Sequence, residues 1–332
     1  MSLRHYAIGL LLALLLAACG KPQHYQQQAF VFGTLVEISI VGAADGQAKV
    51  ASDAVLARFD QLHRKLHPWQ PSALSQLNSA FAHGERVPVD AELAALLRDA
   101  EAIAVRSGHL FNPAIGGLIA LWGFHSDAPQ GRVPDAADIA RWVRLNPRMS
   151  DIHIEPDSLW SSNPAVQVDL GGYAKGVALD EAARILHENG IRDALVNIGG
   201  NIIALGRNGD RPWRVGIQHP RKPGTLAMLD LHDGEAVGTS GDYQRYFELE
   251  GRRYHHLIDP RSGYPSEGMQ SVTVLLAGER AGVRSDALSK PLFIAGADQL
   301  EESARRNGVQ HYLAVDAAGA LRVSPALASR LR

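Results

Sequence analysis

The chain has 332 residues, 46% of them hydrophobic and 20% charged, with a formal net charge of −2. That length buries a sizeable core as one large domain or two small ones, and near-neutral charge without basic runs excludes the electrostatic footprint of a nucleic-acid binder. The only cysteine is Cys19, which excludes an internal disulfide and any cysteine-based zinc or iron–sulfur centre.

In chain order, Arg4 precedes an apolar run from Ala7 to Ala18. The run is too short for a permanent span, which needs roughly 20 apolar residues. A basic start, a short apolar core and small residues before a cut site predict a secretory signal over 1–18. Leu16-Ala17-Ala18-Cys19 resembles the bacterial lipobox, so Cys19 is expected to carry a lipid, and Gly20 in place of Asp favours the outer membrane. Residues 19–29 then read as lipid anchor and polar, Gln-rich tether. Residues 30–41 have strand composition, and 47–66 carry helical spacing of apolar residues. Asp90 caps a helix running to Val105, and Ser107-Gly108 stops it. Residues 109–134 look loop-like.

Further on, 165–170 reads as a strand, 173–188 as a helix ended by Asn189-Gly190, and 194–198 as a strand before a Gly199-Gly200 turn. Strand candidates follow at 213–218, 226–231, 244–249, 253–258 and 271–277. A helix near 286–306 and a hairpin over 311–323 close the chain. Strand runs mixed with helices, without a regular βαβα rhythm, predict an α+β fold with mixed sheets flanked by helices. No repeat or linker divides 30–332, which reads as one body.

Five segments interrupt apolar runs with polar residues and glycine. In Val168-Asp169-Leu170-Gly171-Gly172-Tyr173-Ala174-Lys175-Gly176 an acid ends a strand and a lysine opens a helix, an arrangement suited to phosphate or to a plain strand–turn–helix joint. Asn197-Ile198-Gly199-Gly200-Asn201 reads first as a tight turn. Gly238-Thr239-Ser240-Gly241 offers two hydroxyls for phosphate oxygens, or a polar turn between strands. In the stretch from His255 to Pro265, His256 and Asp259 suggest an acid/base pair at a rim. The adjacent His255 and His256 would face opposite sides of a strand, so at most one serves a given site. Asp286 and Lys290 are i,i+4 neighbours on a helix, which fits either a surface ion pair or a carboxylate and cation at a binding site. Neither GxGxxG nor GxxxxGK[ST] occurs, so ordinary nucleotide folds lack support.

Together and in this order these segments resemble the FAD:protein FMN transferases, the ApbE family of periplasmic flavin transferases. Phe32-Gly33-Thr34, Ser72 to Asn78 (SALSQLN) and Phe111 to Phe124 (FNPAIGGLIALWGF) add to the resemblance, which covers nearly all of 30–325. It implies that FAD is the donor substrate, that Mg²⁺ polarises its diphosphate, and that a Ser or Thr hydroxyl of an exported or membrane-bound flavoprotein subunit takes FMN while AMP leaves. Residue by residue, it implies FAD contacts at Asp169 and Lys175, a diphosphate loop at Thr239 and Ser240, and flavin- or adenine-side contacts at Phe32, Ala120 and Leu121. It further implies a metal held by the Gly172 carbonyl and the Asp286 carboxylate, and His256 as proton acceptor.

The departures carry expectations of their own. The family places a metal-binding threonine where Lys290 stands, and an ammonium has no lone pair for a cation. Lys290 is therefore expected to weaken or replace the Mg²⁺ site and to join His256 and Asp286 in the catalytic set. Pro291 is expected to make the helix begin near Ser289. Asn112 replaces an Asp. The leading reading is an FMN transferase on the periplasmic side of a bacterial membrane. The alternatives are an FAD pyrophosphatase, with water as acceptor, and a non-catalytic flavin-binding lipoprotein.

Overall fold

The computed structural model describes residues 23–88, 90–126 and 131–332. Cys19 and the signal expected over 1–18 lie outside the described residues. The chain begins with a hairpin of β1 (His24–Val31) and β2 (Thr34–Val41). Three helices follow: α1 (Asp45–Leu66), α2 (Ala73–His83) and α3 (Ala91–Arg106). The short α4 (Gly116–Leu121), α5 (Ala136–Leu145) and the hairpin β3 (Ile152–Ile154) and β4 (Leu159–Ser161) lead to α6 (Ala174–Glu188). Next come β5 (Asp193–Ile198), β6 (Asn201–Leu205), β7 (Trp213–Gln218), β8 (Thr225–Leu231), β9 (Glu235–Gly241), β10 (Tyr246–Leu249), β11 (Arg252–His255) and β12 (Met269–Ala277). The chain closes with α7 (Ala281–Ala295), α8 (Leu300–Asn307), β13 (His311–Asp316), β14 (Leu321–Val323) and α9 (Pro325–Ala328).

An eight-stranded sheet in the order β1-β2-β5-β6-β9-β12-β13-β14 forms the centre, and its ladders are antiparallel. The α+β expectation holds. Strand alternation divides the sheet into two faces. Val36, Ile38, Val196 and Ile198 turn to the side covered by α1, α6 and the N-terminal helices, and Val272 and Val274 meet Leu288 and Phe293 of α7. Ile202, Val237 and Leu275 turn to the other side, against β7, β8 and α9.

Several expectations need correction. The tether expected over 19–29 ends earlier: from His24 the chain is the edge strand β1, paired along its whole length with β2. Its glutamines are edge-strand side chains, with Gln28 Nε2 donating to Glu37 Oε1 at 2.8 Å. The strand expected over 165–170 is extended but makes only an isolated bridge, Ile115 to Gln167. Its backbone bonds on one side to residues 113–116, with Gln167 N and Asp169 N donating to Ala114 O and Pro113 O, and at Val168 to a side chain: Val168 N donates to Asn78 Oδ1 at 2.7 Å and Asn78 Nδ2 donates to Val168 O at 2.9 Å. That is the work of Asn78 in the SALSQLN stretch, where Ser72 and Ser75 also close a capping box on α2. Within 109–134, six residues form α4.

The largest correction concerns α7. The helix runs from Ala281 through Pro291 to Ala295 rather than beginning near Ser289. Proline supplies no N–H for the Ala287 carbonyl, but three contacts hold the helix in place. The Asp180 carboxylate accepts from Gly282 N and Val283 N at 2.8 and 3.0 Å, capping α7 from α6. A Cβ on Gly176 would lie 2.6 Å from Gly282 O, and one on Gly238 would lie 2.2 Å from Ser285 O. Two glycines therefore let α7 press its backbone onto α6 and β9. Both contacts set the position of Asp286.

Candidate active site

A pocket of about 1190 Å³ opens where the β1–β2 turn, the start of α6, the end of β9 and the middle of α7 converge. Its wall includes Phe32, Asp169, Gly172, Lys175, Thr239, Ser240, His256, Asp286 and Lys290. Nearly every site residue expected from the sequence is thus brought to one cavity. Ala120 and Leu121 are not in its wall; Ile119 is. A single helical turn sends successive side chains about 100° apart, and only one of the three faces the pocket.

Asp286 is 1% exposed. Its Oδ2 accepts from Gly176 N at 3.0 Å, so it caps α6, whose own N-cap residue Tyr173 makes no side-chain capping bond. Lys290 Nζ donates at 2.7 Å to Asp286 Oδ1 and at 2.7 Å to the Asp286 carbonyl. Burial pushes the Asp286 carboxyl up, but the Lys290 and Lys175 ammoniums outweigh it and hold it below the usual carboxylate range. Burial presses the Lys175 ammonium downward, opposed by Asp286. Asp169 makes an Asx turn, accepting from Gly171 N at 2.7 Å, and its burial raises its carboxyl pKa.

The expected pair of phosphate-donating hydroxyls is divided. Ser240 turns to α7, with its Oγ 2.8 Å from Ser289 Oγ. Ser289 donates its proton to the Asp286 carbonyl at 2.8 Å, so Ser240 is the donor of their shared bond and presents lone pairs elsewhere. Thr239 faces the other side of the sheet, 2.9 Å from Thr273 Oγ1. Gly238-Thr239-Ser240-Gly241 is the end of the central strand β9, not a turn.

The two histidines separate as strand geometry requires. His255 enters the core, edge-on to Phe293 at 5.5 Å, with Nδ1 accepting from Leu257 N and Nε2 donating to Ser266 O at 2.8 Å. His256 borders the pocket. Its backbone N donates to Arg245 O at 3.1 Å, and its Nδ1 lies 3.1 Å from the same carbonyl. Nδ1 must be protonated to face a carbonyl, which leaves the lone pair on Nε2. Burial, together with His255 and Arg245, pushes the His256 pKa down to about 3. Asp259 is no partner for it, because its carboxylate closes on Arg261 at 2.7 Å.

These neutral rings have a measurable consequence. Burial also depresses His255. An unfolded histidine takes its proton near the ordinary value of 6.5, so between there and about 3 the unfolded chain binds more protons than the fold. Stability is then lost as pH falls through that window. The melting temperature should decline steadily from about pH 6.5 downward, and less steeply in His256→Gln; a flat profile from about pH 7 to about pH 4.5 would contradict the buried neutral rings.

Some of the pocket carried no motif. Arg245 donates from Nη1 to Phe124 O at 2.9 Å, and its charge reaches His256, Asp169 and Lys175. Trp69 and His125, both in the pocket wall, pair at 5.5 Å between ring centroids. Phe32 sits at a turn where it and Gly33 both have positive φ, 56° and 69°, the geometry of a type I′ hairpin. Its ring packs against Phe59 and His63. The FNPAIGGLIALWGF stretch docks through Trp122, whose Nε1 donates to Gly263 O at 2.8 Å. Asn112 uses both ends of its amide, accepting from Ala114 N and donating to Pro147 O at 2.9 Å. A carboxylate could not make the second bond.

The ApbE family model matches residues 32–313. The chain belongs to the ApbE family. The protein named FAD:protein FMN transferase in Rhodobacter capsulatus is 42% identical over 302 residues, covering 91% of this chain. The chain spans 57% of that relative's length. A protein of the same name in Klebsiella pneumoniae (strain 342) is 30% identical over 292 residues, covering 85% of this chain and 82% of its own. The crystal structure of the ApbE protein from Thermotoga maritima superposes with a TM-score of 0.85 at 31% identity, covering 93% of this chain and all of that one.

For the Mg²⁺ that the ApbE resemblance implies, the residues present do not fit. One Asp286 oxygen is engaged by Gly176 N and the other by an ammonium. A Cβ placed on Gly172 would lie 2.6 Å from Lys290 Cε, so the lysine stem runs directly over the glycine whose carbonyl would be a ligand. Among the described residues no group of three or more His, Cys, Asp or Glu is arranged to hold a metal.

Proposed function

We propose that this chain moves FMN from FAD to a Ser or Thr hydroxyl of a protein acceptor. The observation that carries the reading is the convergence of a neutral His256, the Asp286–Lys290–Lys175 charge cluster and an aromatic rim on one pocket large enough for a dinucleotide. Phosphoryl-type transfer asks for positioning, charge neutralisation and a group to take the nucleophile's proton. In the reaction the acceptor oxygen forms a bond to the FMN phosphorus. The bond from that phosphorus to the bridging oxygen breaks, and AMP leaves with it. The hydroxyl proton passes to His256 Nε2.

The cationic side chains Lys175, Lys290 and Arg245 offset the diphosphate charge, and Phe32, Trp69 and His125 offer flat faces to ring systems. Incubation with FAD and an exported flavoprotein subunit tests the reading. Flavin fluorescence that stays with the subunit in a denaturing gel, with release of AMP, is the expected result. AMP without labelled subunit would instead mean hydrolysis.

The acceptors belong, on this reading, among exported or membrane-bound redox subunits. The lipobox-like sequence at Cys19 supports a lipid anchor that holds the catalytic body at the periplasmic face of a membrane. Cys19→Ser should move the protein from the membrane to the soluble fraction and leave FMN transfer in solution unchanged. A soluble, folded but inactive variant would argue against separating anchor from chemistry.

A further inference from the structure

The Asp286–Lys290 pair is unusual for a helix-surface i,i+4 pair. Its side chains are 2% and 15% exposed, and it lies in the wall of the pocket rather than on the outside. The ammonium is held by two acceptors of one residue, each at 2.7 Å. Gly172 leaves room for the aliphatic stem, since a Cβ there would lie 2.6 Å from Lys290 Cε and 3.0 Å from Cδ. The stem can therefore follow only a narrow path, and the charge at its end is fixed in position. Lys175 adds a second basic side chain whose field reaches the same carboxylate, while burial works against its ammonium form. The fixed Lys290 ammonium lies beside the Ser240–Ser289 hydroxyl pair in the wall of the cavity.

We infer that the Lys290 ammonium is a built-in counter-ion for the diphosphate of the bound dinucleotide, so that this enzyme binds and cleaves FAD without a divalent cation. The inference rests on the flavin-transfer reading and deepens it. The atoms balance as in that reading: phosphorus exchanges its bridging oxygen for the acceptor oxygen, the proton goes to His256, and no further reactant enters. A tethered ammonium neutralises one charge and offers donors to phosphate oxygens, which is the part a divalent ion would otherwise supply.

FAD binding by the full chain, followed through flavin fluorescence in EDTA and in excess Mg²⁺, tests this, together with calorimetric titration of Mg²⁺ alone. Wild type should bind FAD equally in both conditions, within about twofold, and take up no Mg²⁺. Lys290→Thr, which replaces donors with a hydroxyl that has lone pairs, should bind FAD about tenfold more weakly in EDTA, recover in Mg²⁺, and show Mg²⁺ uptake. Lys290→Met should be weakened in both conditions. Wild-type binding that collapses in EDTA and returns with Mg²⁺ would overturn the inference and leave the flavin reading standing. Full affinity of Lys290→Met in EDTA would also overturn it. Absence of FAD binding by wild type in either condition would overturn the flavin reading and the inference together. The wild-type arm needs no variant, so it decides even where a variant fails to fold.

Discussion

Changing His256 to alanine should lower FMN transfer by about 10²–10⁴-fold, the range for loss of a positioned general base, and leave FAD binding nearly intact. The ring is prepared for the role by geometry before any substrate arrives. Its Nδ1 is committed to the Arg245 carbonyl, and that commitment puts the basic lone pair on Nε2. In the free enzyme the imidazole is a weak base, pushed down to about 3 by burial and by the neighbouring His255 and Arg245. A dinucleotide brings negative charge into the pocket, and a nearby anion favours the protonated ring. The pKa therefore rises on binding, and the base gains strength only in the complex that needs it. His256→Gln separates this role from packing, because the amide fills similar space and can still donate to Arg245 O. It should be as slow as the alanine variant, with kcat and kcat/KM lowered together. A glutamine variant that transfers FMN at the wild-type rate would remove His256 from the reaction.

What could be read from the sequence, and what could not, divides along a physical line. Strand β7 was legible at Trp213–Gln218, where side chains alternate between core and solvent, and β8 close to Thr225–Leu231, an apolar run that ends buried. The end of β9 was not, because Gly238-Thr239-Ser240-Gly241 has turn chemistry. Its glycine serves a tertiary demand, the passage of α7 at 2.2 Å from a would-be Cβ, and no local pattern announces such a contact. The same holds at Pro291, where propensity predicted a helix start and burial of α7 between α6 and the sheet overrode it. β1 was hidden by its glutamines, since an edge strand with polar side chains reads as a tether.

The candidate site shows the same division. Asp169, Lys175, His256, Asp286 and Lys290 stood out because each breaks an apolar or glycine-rich run, and the fold brings them to one cavity. Arg245, Trp69 and His125 border the same cavity, but they stand in segments with no distinguishing pattern. Their role comes from the way the segment around Trp122 docks on Gly263 and from the Arg245 bond to Phe124 O. These contacts link residues more than 100 positions apart, beyond the reach of any local motif.

Asp286→Ala should destabilise the fold by about 3–5 kcal/mol, the cost of removing one partner of a buried ion pair. The carboxylate does three things at once. It neutralises Lys290, it offsets Lys175, and it supplies the side-chain cap of α6 through Gly176 N. Without it two ammoniums face each other across the start of a helix whose N-terminal end is itself positive. Asp286→Asn keeps the shape and the acceptor for Gly176 N, so it should lose less. The sharper comparison is the double variant Asp286→Leu with Lys290→Met. Replacing both charges with apolar groups of similar size is often neutral for stability, so most of the loss should return in a denaturant titration while FAD affinity stays low. If the double variant were as unstable as Asp286→Ala, the instability would come from the lost cap or from Lys175 rather than from Lys290 left unpaired. If it recovered FAD affinity as well, the ion pair would be a packing element of α7 and not part of the binding site.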